Sequence, residues 1–303
     1  NDEMMKISQR LSPKLSEHAN NIYLNEKLFE KIKSIYNNRL NQGLTSEQVR
    51  LVEKYYQDFE SSGATLSPED KERYRQLSME LSLATLDFGQ NVLKETNKYE
   101  MLLTDKADLD GLPESVLEAA KARAKTKGKE GWLFDLSAPS YTSFMKYSTR
   151  RDLREKLYRA YNTKCVTGGE FDNQDNVKKI VNLRLEIANL LGYKNYAEYE
   201  LKYRMAKNTE GVYGLLDKLA EAYTPTAKKE VADVQAYASK IEGKPFEIQP
   251  WDWSFYADKL KDERFKLNDE MLRPYFELER VKKGVFGLAT ELYGLQFVKN
   301  PDI

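Results

Sequence analysis

The sequence predicts an all-α protein that carries one small β excursion. Three observations predict this class. Apolar residues recur at three- and four-residue steps through most of the chain, Ser-Pro and Thr-Ser-Glu-Gln signals mark helix starts, and two short segments have a β-prone pattern instead. With 303 residues, the chain is long enough to bury about three quarters of its unfolded surface in a core.

The first predicted helix begins at Ser12 and Pro13, which suit the N-cap and the first helical position. It is expected to continue to Tyr36, because apolar residues fall on one stripe at helical spacing. The stripe consists of Leu15, His18, Ile22, Phe29, Ile32 and Tyr36. We therefore expect one long amphipathic helix with its histidine on the packed face.

Two further helices are marked by their start signals. Residues 45–48 are Thr-Ser-Glu-Gln, which has capping-box spacing, and the helix that follows is expected to end near Gly63. Ser67 and Pro68 then begin a helix of about thirty residues, on the order of 45 Å long at 1.5 Å per residue. Its inward stripe consists of Tyr74, Leu77, Leu81, Ala84, Phe88 and Val92.

The pattern changes between residues 97 and 137. Tyr, Met and Leu alternate over 99–103, and residues 132–136 form a second β-prone piece. Turn-forming residues at 110–113 lead into a predicted helix over 114–127. We expect the two extended pieces to pair as a small excursion from the helices.

The rest of the chain is predicted to be mainly helical. Helices are expected over 140–147, 149–166, 173–191, 195–206 and 209–241. Pro225 is expected to kink or break the last of these. A short helix over 251–260 and an apolar stripe over 278–292, closed by Gly294, follow, and the β-prone residues 295–298 predict a terminal strand.

Composition excludes several classes of function. Forty-eight Lys and Arg residues balance forty-eight Asp and Glu residues, so no net field attracts nucleic acid. The mean hydropathy is −0.71, and no apolar run approaches the roughly 20 residues of a membrane span. His18 and Cys165 are the only histidine and the only cysteine, which excludes an internal disulfide and a zinc site with two or more such ligands.

For the residues that could act in catalysis or ligand binding, structural roles are favoured. His18 is expected to be a packed histidine, and Cys165 a buried small apolar residue. The alternative is a thiol nucleophile with His18 as its base, although nothing in the sequence brings the two residues together. Four tyrosines are expected to pack between helices, with contact to an extended peptide as the alternative. They are Tyr193, Tyr196, Tyr199 and Tyr203.

Several segments agree with one known family in order and spacing. They are Leu11–His18, Asn25–Phe29, Arg151–Tyr158, Ile187–Tyr193, Met205–Ala206, Pro250–Tyr256, Leu272–Phe276, Gly284–Leu288 and Leu292–Phe297. On these segments the chain resembles the thimet oligopeptidase and peptidyl-dipeptidase family of zinc metallopeptidases. The resemblance covers nearly the whole chain and is greatest to the bacterial peptidyl-dipeptidase, or dipeptidyl carboxypeptidase, branch.

The resemblance implies the elongated helical lobe of a two-lobed metallopeptidase with a deep channel. In that family zinc is held by a His-Glu-x-x-His motif and a later Glu, and short oligopeptides are hydrolysed, here with the expected release of C-terminal dipeptides. The motif needs two histidines and this sequence has one, so no catalytic, cofactor-binding or metal residue is assigned. Zinc is expected in the intact enzyme only, and this chain alone is expected to be inactive.

The resemblance also suggests how the chain is divided. Residues 1–148 are expected to form an N-terminal helical part with the β excursion, 149–245 a helical part of the channel wall, and 246–303 the start of the catalytic lobe, truncated before the zinc motif. The expected partners are short peptides and the missing catalytic lobe, not nucleic acid or a membrane. Because that lobe is missing, Leu292, Leu295 and Phe297 are expected to be exposed.

Two broader expectations complete the sequence-based interpretation. A cytoplasmic location is favoured for the protein, with the periplasm as the alternative. The alternative function is a stand-alone helical scaffold or protein-interaction module without catalysis.

Overall fold

The computed structural model describes residues 2–301, so the outermost residues of the predicted parts 1–148 and 246–303 lie outside the described range. Within residues 2–301 the chain forms thirteen α-helices, two strands and two short 3-10 turns. The predicted all-α class with a small β excursion is confirmed. None of the described helices combines the length and the apolar character that a membrane crossing needs.

The elements have the following bounds. The helices are α1 (Asp2–Tyr23), α2 (Glu26–Asn38), α3 (Ser46–Ser61), α4 (Pro68–Lys98), α5 (Glu114–Thr126), α6 (Ala138–Tyr147), α7 (Arg151–Asn162), α8 (Gln174–Leu190), α9 (Tyr196–Leu201), α10 (Thr209–Glu242), α11 (Trp253–Phe265), α12 (Asp269–Leu272) and α13 (Leu278–Tyr293). The strands are β1 (Met101–Leu103) and β2 (Trp132–Phe134), and the 3-10 turns are Lys106–Leu109 and Arg273–Tyr275.

The single helix predicted over 12–36 is wrong, because two helices occupy this stretch. Asn25 separates them, since its side-chain oxygen accepts a hydrogen bond from the Leu28 amide at 3.0 Å and so caps the start of α2. The first helix begins upstream at Asp2, which leaves Pro13 inside α1 and not at its first position. The capping chemistry of Asn25 therefore outweighs the apolar stripe that continues through it.

The face of α1 that contacts α4 is also different from the predicted one. Leu15 is 65% exposed and His18 is exposed, so the expected packed histidine is wrong. The contact between the helices is polar instead. The Oγ atoms of Ser12 and Ser82 lie 2.6 Å apart, and Nδ2 of Asn20 donates to Oγ of Ser78 at 2.9 Å. Apolar periodicity misidentifies the buried face because hydrogen bonds, not apolar burial, join these two helices.

The start signals of the next two helices are confirmed. The Gln48 amide donates to Oγ1 of Thr45 at 3.3 Å, and the Thr45 amide donates to Oε1 of Gln48 at 2.9 Å, which completes a capping box. Oγ of Ser67 accepts from the Asp70 amide at 3.1 Å, and Pro68 is the first of the 31 residues of α4. Both signals act through residues three positions apart, so the sequence alone is enough to locate them.

The predicted β excursion is confirmed as an antiparallel pair. Met101 is opposite Phe134 and Leu103 is opposite Trp132. Both β1 residues are buried in an apolar cluster that also contains Phe134 and Phe144, whose ring centroids lie 4.7 Å apart. The two strands thus close one side of the core beneath α5, α6 and α7.

The chain folds as two compact units, Asn1–Lys229 and Glu230–Ile303. In the first unit α4 contacts both α1 and α8. Leu77 of α4 is buried together with Leu183 and Ile187 of α8. The long helix α4 therefore supports both α1 and α8 in the first unit.

The second unit has its own small core. Val234 and Ala238 of α10 are buried with Phe255 and Tyr256 of α11. The Tyr256 hydroxyl donates to Oε1 of Glu242 at 2.5 Å, which joins the end of α10 to α11. The Pro250–Tyr256 segment, which contributes to the family resemblance, thus supplies core residues to this unit.

Two predictions in the second half of the chain are wrong, and a break at Pro225 does not occur. No strand forms over 295–298. Instead, the Phe297 ring stacks on Phe286 of α13 with centroids 4.4 Å apart, and a β-prone segment without a partner strand cannot form a ladder. The helix predicted over 195–206 ends at Leu201. Pro225 lies inside α10 and does not break it, since one missing amide removes one bond while the bonds on either side persist.

Candidate functional site

A hydrolytic zinc site requires at least three protein ligands placed around one point. Within residues 2–301 no group of three or more His, Cys, Asp or Glu side chains is placed to hold a metal ion. The single histidine lies on the exposed side of α1. The residues present therefore do not fit the zinc site that the resemblance implies, and no catalytic step is assigned to them.

Cys165 is buried, as predicted. It follows α7 and is 3% exposed. Its amide donates to Oε2 of Glu95 at 2.6 Å, and its carbonyl accepts from the Asn173 amide at 2.7 Å, so its partners are these two residues and not His18. Burial, with a smaller contribution from the nearby Glu95 carboxylate, raises the pKa of the Cys165 thiol to about 11. A thiol that stays protonated at neutral pH is a poor nucleophile.

The four tyrosines beside α9 pack largely as predicted. Tyr199 is at the centre, with its ring centroid 5.5 Å from those of both Tyr193 and Tyr196. Its hydroxyl donates to the Ser61 carbonyl at the end of α3, at 3.1 Å. Burial is the main cause that raises the pKa of Tyr199 to about 12. These rings hold α9 in place, and only Tyr203 at the edge is exposed.

Glu60 of α3 accepts two hydrogen bonds at the edge of this tyrosine cluster. Its Oε2 atom lies 2.7 Å from Nζ of Lys202 and also accepts from the Tyr203 hydroxyl. Partial burial opposes ionisation of Glu60, but these two hydrogen bonds outweigh it and lower its pKa. For the hydrogen-bond donor Tyr203, burial and the Glu60 carboxylate raise the pKa to about 12. The sequence contains no signal for this contact, which joins distant helices.

A cleft of about 980 Å³ lies beside the β excursion in the first unit. Its apolar lining includes Leu117 of α5 and Trp132 of β2. Its charged lining contains both signs, so the cleft has no strong preference for an anion or a cation. The charged residues are Lys106, Asp110, Glu114, Glu118, Lys121 and Arg150.

Large apolar side chains are exposed along α13 and the segment after it. Leu288 is 57% exposed, Leu292 is 61% exposed, and Leu295 and Phe297 are also exposed. The exposure expected for Leu292, Leu295 and Phe297 is confirmed. Monomeric soluble proteins rarely expose contiguous apolar patches of more than a few hundred Å², so this face has the character of an interaction surface.

The first half of α10 is a second exposed apolar segment, which the sequence interpretation did not identify. Its exposed large side chains are Tyr213, Leu215, Leu216, Leu219 and Tyr223. A signal for it was available, since five of the eight residues from Val212 to Leu219 are apolar or aromatic on all sides of the helix. A helix of that kind is normally covered.

Comparison with known proteins identifies the family. The model of Peptidase family M3 matches residues 144–303. Oligopeptidase A of Haemophilus influenzae is 36% identical over 305 residues, which cover 99% of this chain and 45% of the relative. Dipeptidyl carboxypeptidase of Escherichia coli is 34% identical over 305 residues, which cover 100% of this chain and 45% of the relative.

These relatives agree with the resemblance carried by the sequence motifs. The chain spans about 45% of the length of these two curated relatives. The family match begins at Phe144 and includes all of α7 to α13. On these grounds the chain belongs to peptidase family M3.

Proposed function

We propose that this chain forms the substrate-restricting helical part of a zinc metallopeptidase that hydrolyses short oligopeptides, and that the zinc ligands lie outside these 303 residues. The observation that carries the proposal is the combination of M3 membership with a single histidine. A hydrolytic zinc site of the His-Glu-x-x-His type needs two histidines one helical turn apart. The chain by itself is accordingly proposed to be inactive.

Release of C-terminal dipeptides is the proposed reaction of the intact enzyme. It is supported by the dipeptidyl carboxypeptidase of Escherichia coli, which is 34% identical to this chain over all of the chain's length and 45% of its own. The oligopeptidase A relatives support the wider class of short-peptide hydrolysis. A cytoplasmic location is supported by the plant relative described as a probable cytosolic oligopeptidase A.

The proposed division of labour follows the three predicted parts. Residues 1–148 are proposed to form an N-terminal helical part with the β excursion, 149–245 to form a helical part of the channel wall, and 246–303 to begin the catalytic lobe. The packing of α4 against α1 and α8 supports a firm connection between the first two parts. The exposed apolar face of α13 supports contact between the last part and further polypeptide.

A peptide assay on the purified chain tests the proposal. We expect no cleavage of a fluorogenic peptide with or without added zinc, and no stoichiometric zinc by mass spectrometry. Fusion of the chain to the unmatched portion of the Escherichia coli relative is expected to yield chelator-sensitive cleavage. Chelator-sensitive cleavage by the 303-residue chain alone would contradict the proposal.

A stand-alone helical scaffold is the second candidate function. The exposed apolar helices α10 and α13 favour it, because a binding module also needs an uncovered face. The coding frame beyond residue 303 distinguishes the two candidates. A His-Glu-x-x-His motif there supports the peptidase, and a stop codon supports the scaffold.

A further inference from the structure

A cavity of about 640 Å³ opens between the first turns of α1 and the last turns of α4. The loop after α7 closes one end of it with Glu170 and Phe171. We call this cavity the lysine cleft, after Lys6 of α1 and Lys94 and Lys98 of α4, which all line it. It lies within the first compact unit and does not involve α10 or α13.

The lysine cleft has an excess of positive charge. Three ammonium groups line it against one carboxylate, that of Glu170. That carboxylate pairs with Nζ of Lys98 at 3.0 Å. Within residues 2–301 neither Lys6 nor Lys94 forms an ion pair with a carboxylate. Since the whole chain has a formal net charge of zero, this local excess arises from the fold and not from the composition.

The Phe171 ring orients two of the lysines. Nζ of Lys98 lies 5.1 Å from the ring centroid, and Nζ of Lys94 lies 5.9 Å from it. Both distances are within the range of cation–π attraction, which favours ammonium groups held over a ring. The ring therefore draws two like charges into one region of the cleft, and only one of them, Lys98, has a carboxylate partner.

The inner wall of the cleft is a fixed amide network. Gln90 is 7% exposed, and its Nε2 atom donates to the Met5 carbonyl at 3.2 Å. Its Oε1 atom accepts from Nε2 of Gln9 at 3.0 Å. These bonds tie α1 to α4 at the inner wall of the cleft. The side-chain amide of Asn97, also in the lining, has no hydrogen-bond partner in the described part of the chain and is free to donate.

Two further carboxylates of α4, those of Asp87 and Glu95, do not pair with the lysines of the cleft. Asp87 accepts a hydrogen bond from Gln9 at 3.4 Å and is not part of the lining. The Glu95 carboxylate accepts a hydrogen bond from the backbone amide of Cys165 at 2.6 Å. Both carboxylates therefore bond to groups other than the lysines of the cleft.

We propose that the lysine cleft binds a small multivalent anion that carries several phosphate or carboxylate groups. Two ammonium groups without carboxylate partners attract such an anion more strongly than they attract the monovalent ions of the buffer. The volume of about 640 Å³ is within the range of small-molecule sites. The free Asn97 amide adds a neutral donor. This inference does not depend on the proposed peptidase function.

Isothermal titration calorimetry on the 303-residue chain tests this site. Tripolyphosphate and citrate are titrated separately, so that one arm probes phosphate and the other probes carboxylate. We expect saturable binding of at least one of them, and we expect it to weaken as the salt concentration rises. The double variant Lys6→Gln/Lys94→Gln is expected to bind about tenfold or more weakly.

Matched variants distinguish binding in the lysine cleft from nonspecific attraction of anions to surface lysines. Lys33→Gln/Lys178→Gln removes two exposed lysines, which pair with Glu30 and Asp175 on their own helices, and it should leave binding unchanged. Lys94→Arg keeps the charge and should retain binding. The proposal is overturned if neither anion binds at millimolar concentration, or if the control pair weakens binding as much as the cleft pair does.

Discussion

The hydroxyl of Tyr203 donates a hydrogen bond to the carboxylate of Glu60, which lies 143 residues earlier in the chain. Lys202 donates to the same oxygen at 2.7 Å. Together these bonds attach the segment after α9 to the end of α3. The family motif segment Met205–Ala206 begins two residues after Tyr203.

Replacement of Glu60 by Gln is expected to lower the free energy of unfolding by about 1 kcal/mol, because two donors then lose a charged acceptor that is only partly buried. Urea unfolding followed by circular dichroism measures the change. Glu80→Gln is the matched control, since Glu80 lies 3.8 Å from Lys179 on an exposed surface. It should change the free energy by less than about 0.5 kcal/mol.

The contribution of Glu60 should depend on pH. Its folded-state pKa lies below the ordinary value of 4.5, so the unfolded state takes up a proton first as the pH falls. The stabilisation is therefore fully present above the unfolded pKa and is lost as the pH falls through the folded pKa. Urea unfolding of wild type and Glu60→Gln at a series of pH values should show a constant difference near neutrality that disappears in acid. A difference that grows in acid would contradict this assignment.

Cys165 should react slowly while the chain is folded. With its pKa raised to about 11, roughly one thiol in a thousand is ionised at pH 8, and the side chain is buried as well. Labelling with a chromogenic disulfide reagent should be about tenfold or more slower in buffer than in concentrated urea. Equal rates in the two conditions would show that the thiol is accessible.

Gly111 should not tolerate a side chain. Its φ is +83°, and an added Cβ would overlap the Tyr147 carbonyl oxygen and lie 3.2 Å from the Thr149 amide. We expect Gly111→Ala to lower the free energy of unfolding by about 3 kcal/mol. Gly128→Ala is the control, because Gly128 has a φ of +68° in open space and should lose only about 1 kcal/mol. Similar losses for both variants would show that backbone conformation, and not the close contact, decides the effect.

The apolar face of α13 should promote self-association of the purified chain. Leu288→Lys/Leu292→Lys is expected to reduce both the binding of a hydrophobic dye and the fraction of oligomer, because both side chains are more than half exposed. Analytical ultracentrifugation and dye fluorescence measure these effects. Glu291→Lys on the same helix adds a positive charge without removing apolar surface and should reduce neither signal by a comparable amount.

Several helix boundaries set by local chemistry were predictable from the sequence. Thr45 and Ser67 cap their helices through residues three positions ahead, and Gly294 ends α13 in the left-handed conformation. The alternation at 99–103 was also sufficient to locate β1, because a strand with one buried face has a period of two. Each of these signals depends on neighbours within a few residues.

Two of the failed predictions depended on a distant partner, whereas the missed helix start at Asn25 depends on a residue only three positions ahead. The orientation of α1 is decided by hydrogen bonds such as the one between Asn20 and Ser78, 58 residues apart, and apolar spacing contains no information about them. The terminal strand needed a partner strand, and Phe297 instead stacks on Phe286. The candidate sites were missed for the same reason, since the lysine cleft depends on the proximity of Lys6 and Lys94.

By itself the sequence determined the helical class, the family motifs and the presence of a single imidazole, because each of these is a property of residue types and of their spacing along the chain. Only the tertiary structure decided which side of α1 is buried, that Glu60 meets Tyr203, and that lysines from two helices share one cavity. The physical reason is that charge, hydrogen bonding and burial act through space. Their strength depends on distances that the fold sets between residues far apart in the chain.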